Sequence, residues 1–159
     1  MIGIYKISAL DYVTYVEKGH CEVYDKIKND TFRTLATDKK FLRLVKEDML
    51  LRVLNAFVWR SKEMPQSRLL NFRYSYVQGM NVLAAPILYV MPELDAFYTL
   101  TSFIQHSCPL YVQPALEGVH CGLKLLDKCL QVIDPTLFKY LRASKLEAAV
   151  YAFPCKSIR

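Results

Sequence analysis

The chain has 159 residues, of which 53% are hydrophobic and 23% are charged. A chain of this length forms one domain or part of one, buries roughly 68–70% of its unfolded surface, and is too apolar to be intrinsically disordered. Its net charge is +6, with 14 Lys and Arg against 9 Asp and Glu in residues 1–80. This basic half favours an acidic partner surface or a phosphate-bearing ligand, or is a solvated face of mixed charge.

Several classes of function are disfavoured. Nucleic-acid binding lacks support, because the chain has no long run of Lys and Arg and no alternation of basic and aromatic residues. Zinc is disfavoured because the five cysteines form no C-x-x-C pair. An odd cysteine count without a secretory signal is typical of a reducing compartment, so we expect a cytoplasmic protein. We expect no transmembrane segment, because the most apolar stretch, residues 82–91, is half as long as a membrane span.

Helical periodicity predicts the first half of the fold. We expect helices at residues 8–18, 22–28 and 38–60, with Gly19 as a stop signal after the first. The third helix carries apolar residues at a period near 3.6, which predicts one buried stripe along positions 41, 44, 45, 51, 54 and 58. Residues 61–74 contain a proline and mixed charges and are predicted to form a loop.

The second half is predicted to be helical as well. We expect helices at residues 78–90, 92–106, 115–132 and 136–142, and a last short helix that starts at Ser144 or Lys145 and stops before Pro154. Pro86 lies inside the first of these and is predicted to kink or break it. Because no hairpin dipeptide or sustained alternation indicates a strand, the predicted fold class is all-α, a multi-helix array.

Two short segments carry side chains suited to phosphoryl transfer, I-K-N-D-T-F-R-T at residues 27–34 and Y-V-Q-G-M-N at residues 76–81. Arg33 offers a fixed positive charge, and an arginine supplied in trans accelerates GTP hydrolysis by roughly 10³–10⁵-fold. The carboxamide of Gln78 can accept a hydrogen bond from water while it donates one to a phosphate oxygen. No phosphate-binding loop accompanies them, so they would complete an active site held by another protein.

Neighbouring residues suit these two groups. Asp30 precedes Arg33 by three residues and is near enough on a helical turn to hold its guanidinium. The hydroxyl of Thr34 can bond to the loop backbone, and Gly79 permits unusual dihedral angles directly after Gln78. From the residues alone the alternatives stay open: Arg33 as a surface ion-pair partner of Asp30, and Gln78 as a helix cap or a buried amide.

The segment I-x-x-D-x-x-R-T resembles the arginine-finger motif of the TBC domain, the catalytic module of GTPase-activating proteins for Rab-type small GTPases. The segment Y-x-Q-G-M-N-x-L-A-A resembles the glutamine-finger motif of the same family. Longer runs at residues 24–38 and 108–123 are similar to the fungal branch of this family that restrains mitotic exit and septation. The resemblance covers residues 8–154 and leaves 155–159 as a divergent tail.

The resemblance implies roles for individual residues. Arg33 and Gln78 would be the catalytic arginine and glutamine fingers, and Asp30 would hold Arg33. Asn81 would either bond to the GTPase backbone or cap a helix. The remaining supporting residues would shape the two loops: Thr34, Tyr76, Gly79 and Met80. GTP and Mg²⁺ would belong to the partner GTPase, so the chain would need no cofactor of its own and would be an activator rather than an enzyme with its own substrate.

The resemblance also implies partners and a place in the cell. A Rab- or Ras-like small GTPase and a non-TBC scaffold subunit would be bound in the cytoplasm, at the spindle pole body or cytoskeleton. TBC domains extend further at both ends, so residues 1–159 are expected to form a single, partial TBC domain. Apolar helices near 80–90 and 115–132 would then lack cover. The alternative to a GTPase activator is a TBC-derived interaction module that binds a GTPase or scaffold without accelerating hydrolysis.

Overall fold

The computed structural model describes residues 9–63, 74–113 and 115–152, and these ranges contain helices and no strand. The helices of the first part are α1 (Ala9–Glu17), α2 (Tyr24–Phe32), α3 (Lys39–Leu44), α4 (Glu47–Glu63), α5 (Met80–Val90) and α6 (Glu93–Ser102). A π-helical turn (Phe103–Ser107) and a 3-10 turn (Pro109–Val112) lead to α7 (Glu117–Ile133), α8 (Pro135–Ala143) and α9 (Ala148–Tyr151). The predicted all-α fold class is confirmed.

Helix α4 lies at the centre of the packing and contacts α1, α2, α5 and α6. Residues 53–58 are all buried, and Val53, Leu54 and Phe57 have no exposed surface, so this part of α4 is covered on every side and not along the single stripe that the sequence predicted. Removal of such side chains from water supplies about 1.5–3 kcal/mol each, which makes α4 the main stabilising helix of the domain.

The single helix predicted over residues 38–60 is wrong, because the chain breaks between α3 and α4. Val45 adopts extended backbone with φ −107° and ψ 109°. This conformation buries the Val45 side chain at 2% exposure and leaves Leu44 59% exposed, so Leu44 is not part of the buried stripe. Asp38 caps α3 by accepting the N–H groups of Lys40 and Phe41.

Three other predicted boundaries differ from the structure. Helix α2 continues to Phe32, so residues 27–32 of the first motif lie within the helix, and α4 continues to Glu63, into the predicted loop. The rest of that loop lies outside the described residues, apart from Tyr74. Helix α5 begins at Met80, and Pro86 lies inside it without ending it. Because Pro86 is on the exposed side of α5, water can satisfy the carbonyl that its missing N–H leaves unbonded.

Helix α9 begins later than predicted, at Ala148, because α8 ends in a left-handed turn. Lys145 has φ 57°, and the N–H of Leu146 donates to the carbonyl of Leu141 at 2.8 Å. This six-residue bond is the Schellman pattern that commonly ends a helix, here without the usual glycine.

Helices α7 to α9 form an outer layer that contacts the 3-10 turn rather than α4. A Cβ on Gly118 would lie 2.7 Å from the backbone carbon of Leu110, so glycine permits this close approach. Within the described residues, α7 buries only Gly118 and Val119, and α8 buries no residue. The large exposed apolar residues of these two helices are Leu125, Leu126, Val132, Ile133, Leu137 and Tyr140. The expectation of uncovered apolar surface is thus confirmed for α7.

In the part of the chain that the structure describes, no helix combines the length and the apolar character that crossing a bilayer requires.

Candidate functional site

Arg33 is placed by the C-terminal end of α2, where it is the capping residue. Its side chain is 62% exposed and forms an ion pair with Asp30, whose side chain is only 5% exposed. The contact expected from their three-residue spacing is therefore present. One edge of the guanidinium is held by a buried carboxylate, while most of the group faces solvent.

Asp30 is the centre of a buried network that joins the two motifs. Its carboxylate accepts the hydroxyl of Tyr76 at 2.7 Å in addition to the guanidinium of Arg33. Its backbone carbonyl accepts the hydroxyl of Thr34 at 2.7 Å and the amide of Asn81 at 3.3 Å. A buried carboxylate needs such partners, because an unpaired charge in the interior is strongly unfavourable. The network holds the end of α2 against the start of α5.

Asn81 is 6% exposed, and its amide makes bonds on both sides within the chain. Its Nδ2 donates to Thr34 Oγ1 at 2.7 Å, and its Oδ1 accepts the backbone N–H of Gly79 at 3.1 Å. Gly79 occupies the N-cap position of α5, so Asn81 supports the start of the helix from inside its first turn.

Gln78 lies at an exposed turn between two buried anchors, Tyr76 at 3% and Met80 at 1% exposure. Its exposure argues against the buried-amide interpretation. Gly79 has φ 102°, and a Cβ there would find no atom within 4 Å, so the backbone conformation rather than space requires glycine. The N–H of Val77 donates to the sulfur of Met80 at 3.2 Å and closes the turn.

The electrostatics of the network keep Tyr76 neutral. Burial raises the pKa of the Tyr76 hydroxyl well above its ordinary value of 10.0, and the hydrogen bond to Asp30 and the charge of that carboxylate raise it further. The phenol therefore stays a hydrogen-bond donor to Asp30 at any physiological pH.

A groove of about 590 Å³ opens beside Gln78. It runs between the glutamine turn, α5, the two turns after α6, and the start of α7, and Lys26 is its one charged lining residue among those described. Its apolar lining includes Leu83, Phe103 and Val119. Sequence reasoning missed this groove because its walls come from segments more than 90 residues apart in the chain.

The arrangement presents two exposed polar groups, Arg33 and Gln78, on turns that share a buried support. A guanidinium has five N–H donors, so Arg33 can keep a bond to Asp30 and still contact an anion. In the described ranges, no cluster of three His, Cys, Asp or Glu side chains is placed to bind a metal ion. The exposed side chains of Arg33 and Gln78 are thus available for contacts with an anion and with water.

Comparison with known proteins gives consistent results. The chain is 43% identical over 148 residues to cell division control protein 16 of Schizosaccharomyces pombe, which is 92% of this chain and 46% of that protein. It is 44% identical over 135 residues to mitotic check point protein BUB2 of Saccharomyces cerevisiae, which is 83% of this chain and 44% of that protein. The chain thus spans less than half the length of these curated relatives.

The sequence model of the Rab-GTPase-TBC domain matches residues 5–156, which include both motifs and every helix described above. The chain therefore belongs to the Rab-GTPase-TBC domain family.

Proposed function

We propose that this chain stimulates GTP hydrolysis by a Rab- or Ras-like small GTPase, with Arg33 and Gln78 supplied to the GTPase active site in trans. The observation that carries the proposal is the network around Asp30. It fixes the turns of both motifs to one another and leaves the guanidinium of Arg33 mostly exposed. Burial of a charged network carries a large desolvation cost. An ion pair with no role beyond the surface of this chain would not need such a network to support it.

Arg33 would act on the charge that develops during phosphoryl transfer. Negative charge accumulates on the oxygens around the γ-phosphate, and a planar guanidinium can bond two of them at once. Asp30 keeps the side chain from collapsing onto the surface, so little conformational entropy is lost when the GTPase binds.

Gln78 would act on the attacking water. Its carbonyl oxygen accepts a hydrogen bond from the water, and its amide donates to the γ-phosphate. Gly79, with φ 102°, gives the turn directly after Gln78 its left-handed backbone. GTP and Mg²⁺ would be brought by the GTPase, and this chain would hold neither.

The biological role follows from the relatives in this proposal. Both are named for cell-division control or a mitotic check point, which supports a role in negative regulation of mitotic exit and septation. A scaffold subunit and a location in the cytoplasm, at the spindle pole body or cytoskeleton, belong to the same proposal.

A second candidate is a TBC-derived interaction module that binds a GTPase or scaffold without accelerating hydrolysis. The exposed apolar residues of α7 and α8 favour it, because apolar surface of this extent is typical of a binding face.

A hydrolysis assay separates the two. Purified small GTPases of Saccharomyces cerevisiae, each loaded with GTP, are incubated with the chain and with its Arg33→Ala, Arg33→Lys and Gln78→Ala variants. We expect Arg33→Ala to lower the stimulated rate by about 10²-fold or more and lysine to rescue little of it, because lysine lacks the planar fork.

The controls are matched in residue type. Arg142→Ala removes another exposed arginine that is paired with a carboxylate, and Gln131→Ala removes an exposed glutamine on α7. Both controls should keep the wild-type stimulation. A stimulated rate unchanged by Arg33→Ala would exclude Arg33 from catalysis, and binding without any stimulation would favour the interaction module.

A further inference from the structure

The positive charge of this chain is concentrated beside Arg33. Residues 26–46 contain seven Lys and Arg against two Asp, a net of +5 out of the +6 of the whole chain. Both aspartates are already engaged, Asp30 with Arg33 and Asp38 as the cap of α3. The remaining cations are therefore not neutralised by acids of their own segment.

The cations on and next to α3 also lack ion pairs elsewhere. Lys39, Lys40, Arg43 and Lys46 are exposed, and none pairs with an acidic side chain in the described ranges, which include all 15 Asp and Glu of the chain. Some exposed cations of other helices are paired, such as Lys62 with Glu22, whereas Lys124, Lys128 and Lys139 of α7 and α8 are exposed and unpaired like those of α3. A cluster of unpaired like charges is unfavourable for the free chain, and an acidic partner relieves it.

Apolar side chains stand among these cations. Phe32 is 75% exposed, Leu44 59% and Leu42 46%. Phe32, Leu42, Lys46 and the acidic Glu47 line one depression of about 40 Å³, so the end of α2 and the outer face of α3 form a continuous surface. We call the surface made of Phe32, Lys39, Lys40, Leu42, Arg43 and Lys46 the α3 patch.

We propose that the α3 patch docks an acidic face of the same GTPase, with an apolar side chain of the GTPase seated against Phe32 and Leu42. The inference rests on the proposed function. Its occupant follows from proximity: Phe32 and Arg33 are adjacent at the end of α2 and both exposed, and a protein interface covers about 800 Å² on each partner, so a GTPase that receives Arg33 also reaches Phe32. A flat lipid surface on the α3 patch would instead compete with the GTPase for this position.

The finger residues and the α3 patch would therefore have different roles on one surface. Arg33 and Gln78 act on the chemical step, whereas the α3 patch sets encounter and affinity. Complementary charge raises association rates steeply at low ionic strength and is screened by salt. Loss of the patch should therefore raise the GTPase concentration that gives half-maximal rate and leave the maximal rate in place.

The test compares two triple charge reversals. Lys39→Glu/Lys40→Glu/Arg43→Glu alters the α3 patch, and Lys124→Glu/Lys128→Glu/Lys139→Glu alters three exposed lysines of α7 and α8. Each triple removes six units of charge from the +6 of the chain, so their net charges are equal. At an ionic strength of about 0.05 M, we expect the α3 triple to raise the half-saturating concentration by about tenfold or more, and the control triple to change it little.

Binding of the GTP-loaded GTPase is measured in parallel by fluorescence anisotropy, so that the inference can fail independently of the proposed function. If the α3 triple weakens binding of the GTPase, the docking role of the α3 patch is supported, even where the chain does not stimulate hydrolysis. A lack of stimulation would count against the proposed function alone. Equal effects of the two triples, or none, overturn the patch while stimulation by the wild-type chain stands. If the α3 triple misfolds by circular dichroism, Lys40→Ala/Arg43→Ala replaces it.

Vesicles of phosphatidylserine and phosphatidylcholine test the other occupant. Vesicle binding that the α3 triple abolishes, together with unchanged binding of the GTPase, overturns the proposal in favour of an anionic lipid.

Discussion

Two regions of this molecule treat their apolar side chains in opposite ways. Around α4, Leu54 and Phe57 are fully buried, and α1, α2, α5 and α6 all pack against the same helix. In α7 and α8, by contrast, Leu125 is 62% exposed and Ile133 81%. The Asp30 network of the candidate site belongs to the region around α4, because Asp30 lies in α2 and Asn81 in α5, and both helices pack against α4.

This difference in burial predicts which residues stabilise the fold and which affect association. Residues whose loss unfolds the domain should be found around α4 and in the Asp30 network, whereas substitutions in α7 and α8 should change association more than folding. Four sets of measurements test whether the region around α4 stabilises the fold while α7 and α8 do not.

The largest expected effect comes from the core. Phe57→Ala should lower the free energy of unfolding by about 3–5 kcal/mol, since it leaves a cavity beside α4, whereas Leu125→Ala on α7 should change it by less than about 0.5 kcal/mol. Urea denaturation followed by circular dichroism measures both. Similar losses for the two variants would show that α7 is part of the same core.

The next effect concerns the network. Asp30→Ala removes the carboxylate that accepts the buried hydroxyl of Tyr76 and the guanidinium of Arg33, and should cost about 1–3 kcal/mol of unfolding free energy. Asp127→Ala also removes the partner of an arginine, but from an outer, half-exposed pair, and should cost less than about 1 kcal/mol. An equal cost in the two variants would contradict a stabilising role of the network.

Alkaline pH gives a third test. The pKa of Tyr76 is raised in the fold, so from about pH 10 upward the unfolded chain loses this proton and the folded chain keeps it. Stability should therefore fall with rising pH, by up to about 1.4 kcal/mol per pH unit for each such tyrosine. Tyr12 contributes in the same direction, as does Tyr15, whose pKa is raised to about 12.

Tyr76→Phe should make the fall of unfolding free energy with rising pH shallower, by up to about 1.4 kcal/mol per pH unit, because one of the contributing tyrosines is removed. A parallel measurement at pH 7 isolates the loss of the hydrogen bond to Asp30, expected to cost about 1 kcal/mol. A slope identical to that of the wild-type chain would mean that Tyr76 titrates normally in the fold.

The smallest effect on folding is expected in the outer layer. Val132→Glu/Ile133→Glu replaces two apolar side chains that are each about 80% exposed. The unfolding free energy should move by less than about 0.5 kcal/mol, while the apparent mass in light scattering should fall if these residues drive association. Loss of folding instead would show that they pack against this same chain.

Local chemistry explains which predictions succeeded. Helices α1, α6, α7 and α8 follow from apolar periodicity and from boundary signals such as Gly19 after α1 and Pro135 at the start of α8. The Asp30–Arg33 pair follows from its three-residue spacing, which brings side chains together on any helix. Both depend only on residues within one or two turns.

Predictions failed where distant contacts decide the conformation. No residue near Val45 in the sequence predicts its extended backbone. That conformation is set by the burial of the Val45 side chain in the core. Pro86 does not break α5, because it lies on the exposed side, where its missing hydrogen bond is tolerated. The groove beside Gln78 requires the packing of α7 against the 3-10 turn, which Gly118 permits by its close approach to Leu110.

The helical class, the family and the two motifs with Arg33 and Gln78 can be predicted from the sequence, because periodicity and motif spacing are local properties. The contacts of Tyr76 and Asn81 with Asp30, across 46 and 51 residues, and the unpaired state of the cations of α3 are visible only in the fold. A hydrogen bond or an ion pair between distant residues forms only after packing around α4 has brought their helices together.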